Sequence, residues 1–244
     1  MFNLFAIFDG HGGDQVSKYC SEHFLSTMQG LDAYKNKDYK EALRETFKLL
    51  DQAIKKDVEK AGDCGSTACV VLLTKEKIYC ANAGDSRAIM YSDGAAVALS
   101  KDHKPLNEDE KARIEAAGSF VLDGRVNHSL AVSRAFGDHN YKKEGLEWDK
   151  TAVSCFPDIT EFENTAAVTF VFLACDGVWD CLSNDQLAKR VMELDSELKM
   201  DEYGLIENSI SLEKIMDEIL APDTKDRDGK GCDNMSAIVA FLKH

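Results

Sequence analysis

The chain has 244 residues, of which 43 are Asp or Glu and 29 are Lys or Arg, so its formal net charge is −14. A surface this acidic repels phosphate backbones, which excludes a nucleic-acid-binding protein. The composition is 44% hydrophobic and supplies a substantial core, yet no apolar run approaches the roughly 20 residues that a membrane-spanning helix needs.

The first part of the chain is predicted to contain one buried strand, two helices and a run of short strands. Residues 4–8 are apolar and are followed by Asp9 and Gly10, which predicts a strand buried on both faces. The second helix is predicted over residues 38–61, with Gly62 as its stop. Short segments rich in Val and Ile predict an antiparallel meander over residues 67–73, 77–82, 87–91 and 95–99.

The second part of the chain is predicted to contain helices and strands in an irregular order. A helix is predicted over residues 107–117, and the following segment, up to Asp138, is mixed strand and loop. Later elements are expected as strands over 153–162, 167–175 and 236–242 and as helices over 184–194 and 212–220. Because strands and helices come in blocks, the pattern favours an α+β layered fold, and the lack of repeats or linkers favours a single domain over residues 1–244.

The dipeptide Asp-Gly occurs five times, beginning at Asp9, Asp93, Asp123, Asp176 and Asp228. Its ordinary role is a turn. Asp9 and Asp176 differ from the others because each directly follows a strongly apolar run, where a carboxylate is costly unless a cation or hydrogen-bond donors compensate it. Asp233 has a similar position in the reverse direction, just before the last predicted strand.

Three Asp residues at the ends of core strands suggest a metal site. Oxygen ligands without His or Cys suit Mg²⁺ or Mn²⁺ rather than zinc. His11, two residues after Asp9, adds a proton donor, so the set predicts metal-assisted hydrolysis. The alternative interpretation is that these carboxylates only cap strands and form turns.

Seven motifs follow one another along nearly the whole chain: Asp9-Gly10-His11-Gly12-Gly13, Gly65-Ser66-Thr67-Ala68, Asn82-Ala83-Gly84-Asp85-Ser86-Arg87, Asp102-His103-Lys104-Pro105, Ser133-Arg134-Ala135-Phe136-Gly137-Asp138, Ala174-Cys175-Asp176-Gly177-Val178-Trp179-Asp180 and Asp233-Asn234-Met235-Ser236. In this order they resemble the type 2C, metal-dependent serine/threonine protein phosphatase family. The resemblance implies a four-layer β-sandwich of two antiparallel sheets flanked by helices, with a binuclear Mg²⁺ or Mn²⁺ centre.

The resemblance also implies a role for each main site residue. Asp9 would bridge two Mg²⁺ or Mn²⁺ ions, the Gly10 carbonyl would bind one of them, and Asp176 and Asp233 would bind the other. A metal-bridging water would attack the phosphorus of phosphoserine or phosphothreonine in line, and His11 would protonate the departing oxygen. The alternative for His11 is a structural histidine that caps the following helix.

A weaker third metal is implied at Asp85 and Asp180, with Thr67 supporting its water. The alternatives are that Asp85 belongs to a hairpin turn and that Asp180 is a surface residue. Three further motif residues are predicted to hold loops together rather than to contact substrate: Arg87, Arg134 and Asp138. His103 is predicted to be a loop residue. Residues 139–150 lie where family members carry a variable flap, which makes this segment a candidate for substrate choice or an ordinary solvated loop.

Family members usually begin with an earlier strand pair that carries a phosphate-binding Arg and a Met-Glu-Asp stretch for the second metal. Neither lies in the eight residues before Asp9, so we expect this chain to be an N-terminally truncated piece of a longer protein. The sequence therefore predicts a protein phosphatase, with a catalytically weakened or inactive interaction module as the alternative. A small-molecule phosphoesterase is a third option.

The expected partner is a phosphorylated protein, and no nucleic acid or membrane partner is predicted. The eight cysteines are scattered without a Cys-x-x-Cys pair, which favours free thiols and therefore the cytoplasm or the nucleus. We expect the protein to be a monomer.

Overall fold

The structure is a computed structural model that describes residues 2–59, 61–197, 209–223 and 229–242. In chain order its strands are β1 (Asn3–Ile7), β2 (Gly10–His11), β3 (Gly65–Ser66), β4 (Ala68–Leu73), β5 (Lys77–Ala83), β6 (Arg87–Ser92), β7 (Ala95–Ala98), β8 (Val121–Leu122), β9 (Arg125–Val126), β10 (Phe136–Gly137), β11 (Asp158–Glu163), β12 (Val168–Ala174) and β13 (Ala237–Phe241). Its helices are α1 (Gln15–Gly30), α2 (Asp32–Lys35), α3 (Tyr39–Asp57), α4 (Glu108–Ala116), α5 (Asp176–Trp179), α6 (Asn184–Glu197) and α7 (Ser209–Ile219), with a 3₁₀ turn at His139–Tyr141.

The chain divides into two compact units. The first consists of Met1–Ser86 and Ser100–Asn164, and the second of Arg87–Leu99 and Thr165–His244. Each unit contains a four-stranded antiparallel sheet and helices, so the predicted α+β class with antiparallel sheets is confirmed. The prediction of a single domain stays a prediction.

The sheet of the first unit has the strand order β1-β4-β5-β11. Its central strand β4 is buried at every position, and α1 and α3 contribute to the same core cluster. Helix α3 presents apolar residues at helical spacing, and Leu43, Phe47 and Ile54 are fully buried. Asp38 caps this helix, because its side chain accepts a hydrogen bond from the Glu41 N–H over 3.2 Å.

The sheet of the second unit has the strand order β13-β12-β6-β7. Strand β12 pairs on both sides, which explains its continuous apolar sequence. Phe170 and Phe172 on this strand are fully buried and belong to a core cluster that also includes Leu187 and Val191 of α6. The ends of β12 and β13 place two of the predicted metal ligands, as described below.

Two predictions about the first strands and helices were wrong in detail. Strand β1 is at the edge of its sheet rather than buried on both faces, and of its residues only Ile7 is buried. Helix α3 ends at Asp57, before the predicted stop at Gly62, because Val58 adopts an extended conformation with φ −99° and ψ 119°. A one-turn helix, α2, lies between the two predicted helices.

The predicted meander is two hairpins in different sheets. Strands β4 and β5 pair in the sheet of the first unit, whereas β6 and β7 pair in the sheet of the second. The link between them contains Gly84, which has φ +120°, a conformation that favours glycine. Strand β11 also begins later than predicted, at Asp158, because residues 153–157 form a buried loop that contacts the segment before β10.

Among the residues that the structure describes, none of the helices combines the length and the apolar character that crossing a membrane requires.

Candidate functional site

Asp9 comes two residues after the end of β1, and Thr67 holds its backbone in place. The Asp9 N–H donates to Thr67 Oγ1 over 3.3 Å, and the Asp9 carbonyl accepts from the Thr67 N–H over 2.9 Å. Thr67 is buried, and its hydroxyl also lies 2.7 Å from the hydroxyl of Ser86. Asp9 is half-buried, so its carboxylate is in the partly desolvated position that the sequence predicts.

His11 is paired with Asp138, an aspartate that comes 127 residues later in the chain. His11 Nε2 lies 2.7 Å from Asp138 Oδ2, and the carboxylate side chain is only 4% exposed, against 29% for the imidazole. Burial alone would lower the pKa of His11, but the hydrogen bond and charge of Asp138, together with the charges of Asp85 and Asp9, raise it above its ordinary value. The pair therefore favours a protonated, oriented imidazole.

The alternative that His11 caps the following helix is wrong. The N-cap of α1 is Asp14, and the His11 side chain is held by Asp138 instead. Gly12, between His11 and Asp14 in the chain, has φ +69°. A Cβ at this position would lie 2.3 Å from the Asp63 carbonyl oxygen. The glycines of this motif thus make room for a tight turn between β2 and α1.

Close backbone packing fixes the carboxylate of Asp138. Asp138 has φ +50°, and its N–H donates to the Cys64 carbonyl over 2.9 Å. A Cβ at Gly65 would lie 2.2 Å from Asp138 Oδ2 and 2.5 Å from His11 Nε2. Only a residue without a side chain fits behind this pair, which explains the glycine in the Gly-Ser-Thr-Ala motif.

A buried ion pair supports the same loop from behind. Asp51 Oδ1 accepts hydrogen bonds from the Gly137 N–H over 2.9 Å and from Lys142 Nζ over 2.7 Å. Burial alone would lower the pKa of Lys142, but the charge of Asp51 raises it. Lys142 Nζ also donates to the Ala135 carbonyl over 2.9 Å, so this ion pair anchors the beginning of residues 139–150.

Sequence reasoning missed the roles of Asp51 and Asp138. The sequence predicted Asp138 only as a residue that ties loops, although its place in the Ser-Arg-Ala-Phe-Gly-Asp motif was a usable signal. Asp51 gave a weaker signal, namely a carboxylate on the apolar face of the predicted second helix. A charged residue there is costly unless it has a partner, and Lys142 is that partner.

Asp85 lies on the link that leaves the first unit and is 3% exposed. Its carboxylate forms an ion pair with Lys104 Nζ. A Cβ at Gly84 would lie 2.6 Å from the Thr67 Cβ, so the link passes directly over Thr67. The hairpin-turn alternative for Asp85 is wrong, because β5 and β6 belong to different sheets.

His103 holds this link. Its Nδ1 accepts a hydrogen bond from the Gly84 N–H over 3.2 Å, and its Nε2 lies 3.0 Å from Asp158 Oδ2. Asp158 in turn accepts from Arg134 over 2.7 Å. His103 and Arg134 therefore both tie loops together, a role that the sequence predicts for Arg134.

Glu110 is the buried centre of this network. It accepts hydrogen bonds from Arg134 and from the Ser133 hydroxyl and forms an ion pair with Arg113. Burial alone would raise the pKa of Glu110, but the hydrogen bond and charge of Arg134 and the charge of Arg113 lower it to about 2. The network fixes α4 against the loop that leads into β10.

In the second unit, Asp176 and Asp233 lie at the same end of the sheet, where β12 ends and β13 begins. Asp176 is the first residue of α5 and is separated from the end of β12 only by Cys175. Asp233 precedes β13, the antiparallel neighbour of β12. A Cβ at Gly177 would lie 2.3 Å from the Asn234 carbonyl oxygen and 3.4 Å from the Asp233 Cβ. Gly177 thus allows the two segments to approach closely.

Contacts of Cys175 and Arg87 hold the segments at this end of the sheet together. Cys175 Sγ accepts from the Ser236 N–H over 3.2 Å, which ties the end of β12 to the start of β13. Arg87 donates to Asn184 over 2.9 Å and lies 5.0 Å from the centre of the Trp179 ring, so it holds elements together as predicted. Asp180 ends α5 and is exposed.

The donors that each unit offers suit a hard cation. Asp9 in the first unit and Asp176 and Asp233 in the second are carboxylates, and the Gly10 carbonyl would add a further oxygen. Asp85, by contrast, is already paired with Lys104. Oxygen ligands of this kind fit Mg²⁺ or Mn²⁺.

Comparison with known proteins shows which family the chain resembles over nearly its whole length. The family model described as protein phosphatase 2C matches residues 2–228. The chain is 44% identical to protein phosphatase 2C homolog 3 of Schizosaccharomyces pombe over 99% of its own length and 57% of that relative. It is 38% identical to the probable protein phosphatase 2C 3 of Paramecium tetraurelia, over 99% of the chain and 83% of that relative.

The fold is also similar to that of solved structures. The serine-threonine phosphatase 2C from Toxoplasma gondii superimposes with a TM-score of 0.80 at 23% identity, over 99% of this chain and 85% of that structure. The chain thus spans little more than half the length of its Schizosaccharomyces pombe relative and most of the length of the other two proteins.

Proposed function

The chain belongs to the protein phosphatase 2C family, and we propose that the protein hydrolyses phosphoserine and phosphothreonine in protein substrates with Mg²⁺ or Mn²⁺ as cofactor. The observation that carries this proposal is His11, fixed by the buried carboxylate of Asp138 and placed two residues after Asp9. An inactive interaction module is not favoured, because it would have no need of an oriented proton donor beside a desolvated carboxylate.

The proposed cofactor is a pair of Mg²⁺ or Mn²⁺ ions. The first unit would contribute Asp9 and the Gly10 carbonyl as ligands, and the second would contribute Asp176 and Asp233. When bound, these cations supply an acidified water and neutralise charge on the phosphoryl oxygens. Such assistance suits phosphomonoesters, whose uncatalysed hydrolysis is very slow.

A weaker third ion would be held by Asp85 and Asp180, with Thr67 supporting a water. In the structure Asp85 is paired with Lys104, and the Thr67 hydroxyl is engaged by Ser86. Binding of a third ion would therefore compete with these contacts, which supports its lower affinity.

His11 would act as the general acid. Its Nε2 is committed to Asp138, which leaves Nδ1 as the ring nitrogen that delivers a proton to the departing serine or threonine oxygen. Asp138 keeps the ring protonated and prevents it from rotating. Residues 139–150, anchored by Lys142, are proposed to influence which phosphoprotein is accepted.

The test is hydrolysis of a phosphothreonine peptide by the natural protein at its full length, with Mn²⁺. We expect Asp9→Asn and Asp176→Asn each to reduce kcat/KM by at least about 10²-fold, because each removes a proposed ligand. Asp123→Asn is the matched control, since it removes one exposed carboxylate from an Asp-Gly turn. Metal-dependent turnover that Asp176→Asn leaves unchanged would contradict the site, and a preference for small phosphate esters over the phosphopeptide would contradict the substrate class.

A further inference from the structure

A groove lies in the second unit between β7 and α6. Its volume is about 630 Å³. Gly94 and Ala96 line it on the strand side, and Ala188 and Met192 line it on the helix side. Strand β7 is the last strand of its sheet, so its outer edge is not paired within the part of the chain that the structure describes. A groove bounded by an edge strand and a helix is suited to an extended peptide.

The ladder between β6 and β7 determines which backbone groups of β7 point away from β6. The Leu99 N–H donates to the Ala88 carbonyl over 2.9 Å, and Val97 is opposite Met90 in the same register. Because bonded residues alternate in an antiparallel ladder, the N–H and C=O groups of Ala96 and Ala98 point to the outer edge. An added strand would pair with these groups.

The side chains at the groove leave room for an apolar residue. Ala96 offers only a methyl group, whereas Tyr91 and Met192 provide apolar walls. Methionine adapts its shape to different partners. Since successive side chains of a strand point to opposite faces, every second residue of a bound peptide would face these walls.

The charges around the groove favour a basic peptide. Glu193 is already close to Lys189 at 3.8 Å and to Arg190 at 3.2 Å. By contrast, Asp185 in the first turn of α6 and Asp93 in the turn before β7 form no ion pair within the described residues. In a chain of net charge −14, these carboxylates complement Lys or Arg.

We propose that this groove binds an extended, basic segment of a partner protein. The segment adds a strand to the edge of β7, places an apolar side chain between Ala96 and Met192, and presents Lys or Arg to Asp185. This binding activity is separate from hydrolysis and would bring partner proteins to the enzyme.

The test begins with selection of a phage-displayed random octapeptide library on the purified protein, followed by fluorescence anisotropy with the selected peptides. We expect enrichment of peptides that alternate apolar residues and contain Lys or Arg. Ala96→Pro removes the outward N–H without removing a bond to β6, and it should weaken binding at least tenfold. Asp185→Lys should weaken binding of the basic peptides tenfold and leave binding of their Lys-to-Ala or Arg-to-Ala versions unchanged.

Glu22→Lys makes the same charge reversal at an exposed position of α1 and should bind like the unmodified protein. Met192→Lys tests the groove independently if Ala96→Pro does not fold, which thermal melting monitored by circular dichroism will show. Absence of enrichment, or peptides that bind all variants equally, would overturn the proposal. A dimer in sedimentation that Ala96→Pro dissociates would overturn it as well, because the edge would then be occupied by a second copy.

Discussion

His11 illustrates how a single residue obtains its role from a distant partner. Its position after Asp9 was predictable, because both residues belong to one short motif. Its partner Asp138 was not predictable, because the two residues come together only through the pairing of β2, β3 and β10 in one small sheet. The glycine at position 65 was likewise recognisable as part of a motif, but only the structure shows that a side chain there would collide with both His11 and Asp138.

The change Asp138→Asn tests the acid role at this scale. Asn retains the size of the side chain but removes the charge that favours the protonated ring. We expect kcat for a phosphothreonine peptide to fall about 10²-fold, the usual contribution of a general acid. With p-nitrophenyl phosphate, whose leaving group needs no proton, the fall should be about threefold or less. Equal losses on both substrates would show that Asp138 has only a structural role.

At the scale of elements, the Asp-Gly pairs show what local context can predict. Asp93 and Asp123 have φ of +52° and +51° and precede glycines that also have positive φ, as hairpin turns require. Asp9 instead lies two residues beyond the end of β1, and Asp176 begins α5 after β12. The apolar run before an Asp-Gly pair therefore distinguished the two strand-end aspartates from the two aspartates in hairpin turns. Asp228 lies outside the described residues.

The local sequence pattern did not predict which strands would share a sheet. The strands of the predicted meander exist with nearly the predicted bounds, yet β5 and β6 separate into different sheets. Each strand has a similar apolar pattern, and pairing depends on which other segments cover its faces. Gly84 gave no warning either, because a glycine between two strands is also what a hairpin turn would show.

Glu110 connects α4 with the 133–134 segment and should make stability depend on pH. Its pKa in the folded protein is about 2, against an ordinary 4.5, so its stabilising contribution is complete above about pH 4.5 and is lost as the pH falls toward 2. We expect Glu110→Gln to lower the free energy of unfolding by about 3 kcal/mol at pH 7, measured by urea denaturation. The loss should shrink when the measurement is repeated at pH 3.5.

Glu108→Gln is the matched control for this prediction, because Glu108 is exposed in the same first turn of α4. It should change stability by about 0.5 kcal/mol or less at either pH. If Glu110→Gln destabilises the protein equally at pH 7 and pH 3.5, the ionised form of Glu110 does not hold the network together.

At the scale of the whole molecule, the charge of −14 opposes folding through self-repulsion, and bound cations relieve it. Mn²⁺ at 100 times its dissociation constant should stabilise the folded protein by about 2.7 kcal/mol. For a chain of this length that corresponds to a rise in Tm of roughly 5–10 °C. Scanning calorimetry with and without Mn²⁺ measures this directly and requires no phosphate substrate.

Two Asp→Asn changes separate specific ligation from general charge relief. Both Asp176→Asn and Asp123→Asn remove one negative charge, so neither should lower Tm appreciably in the absence of metal. Asp123 belongs to a hairpin turn with positive φ, which Asn also tolerates, and this variant should keep the full Mn²⁺-induced rise. Asp176→Asn should lose most of that rise. If it keeps the rise, the stabilising cation is bound elsewhere. The effect of Mn²⁺ would then come from the overall negative charge of the protein rather than from a site at the end of β12.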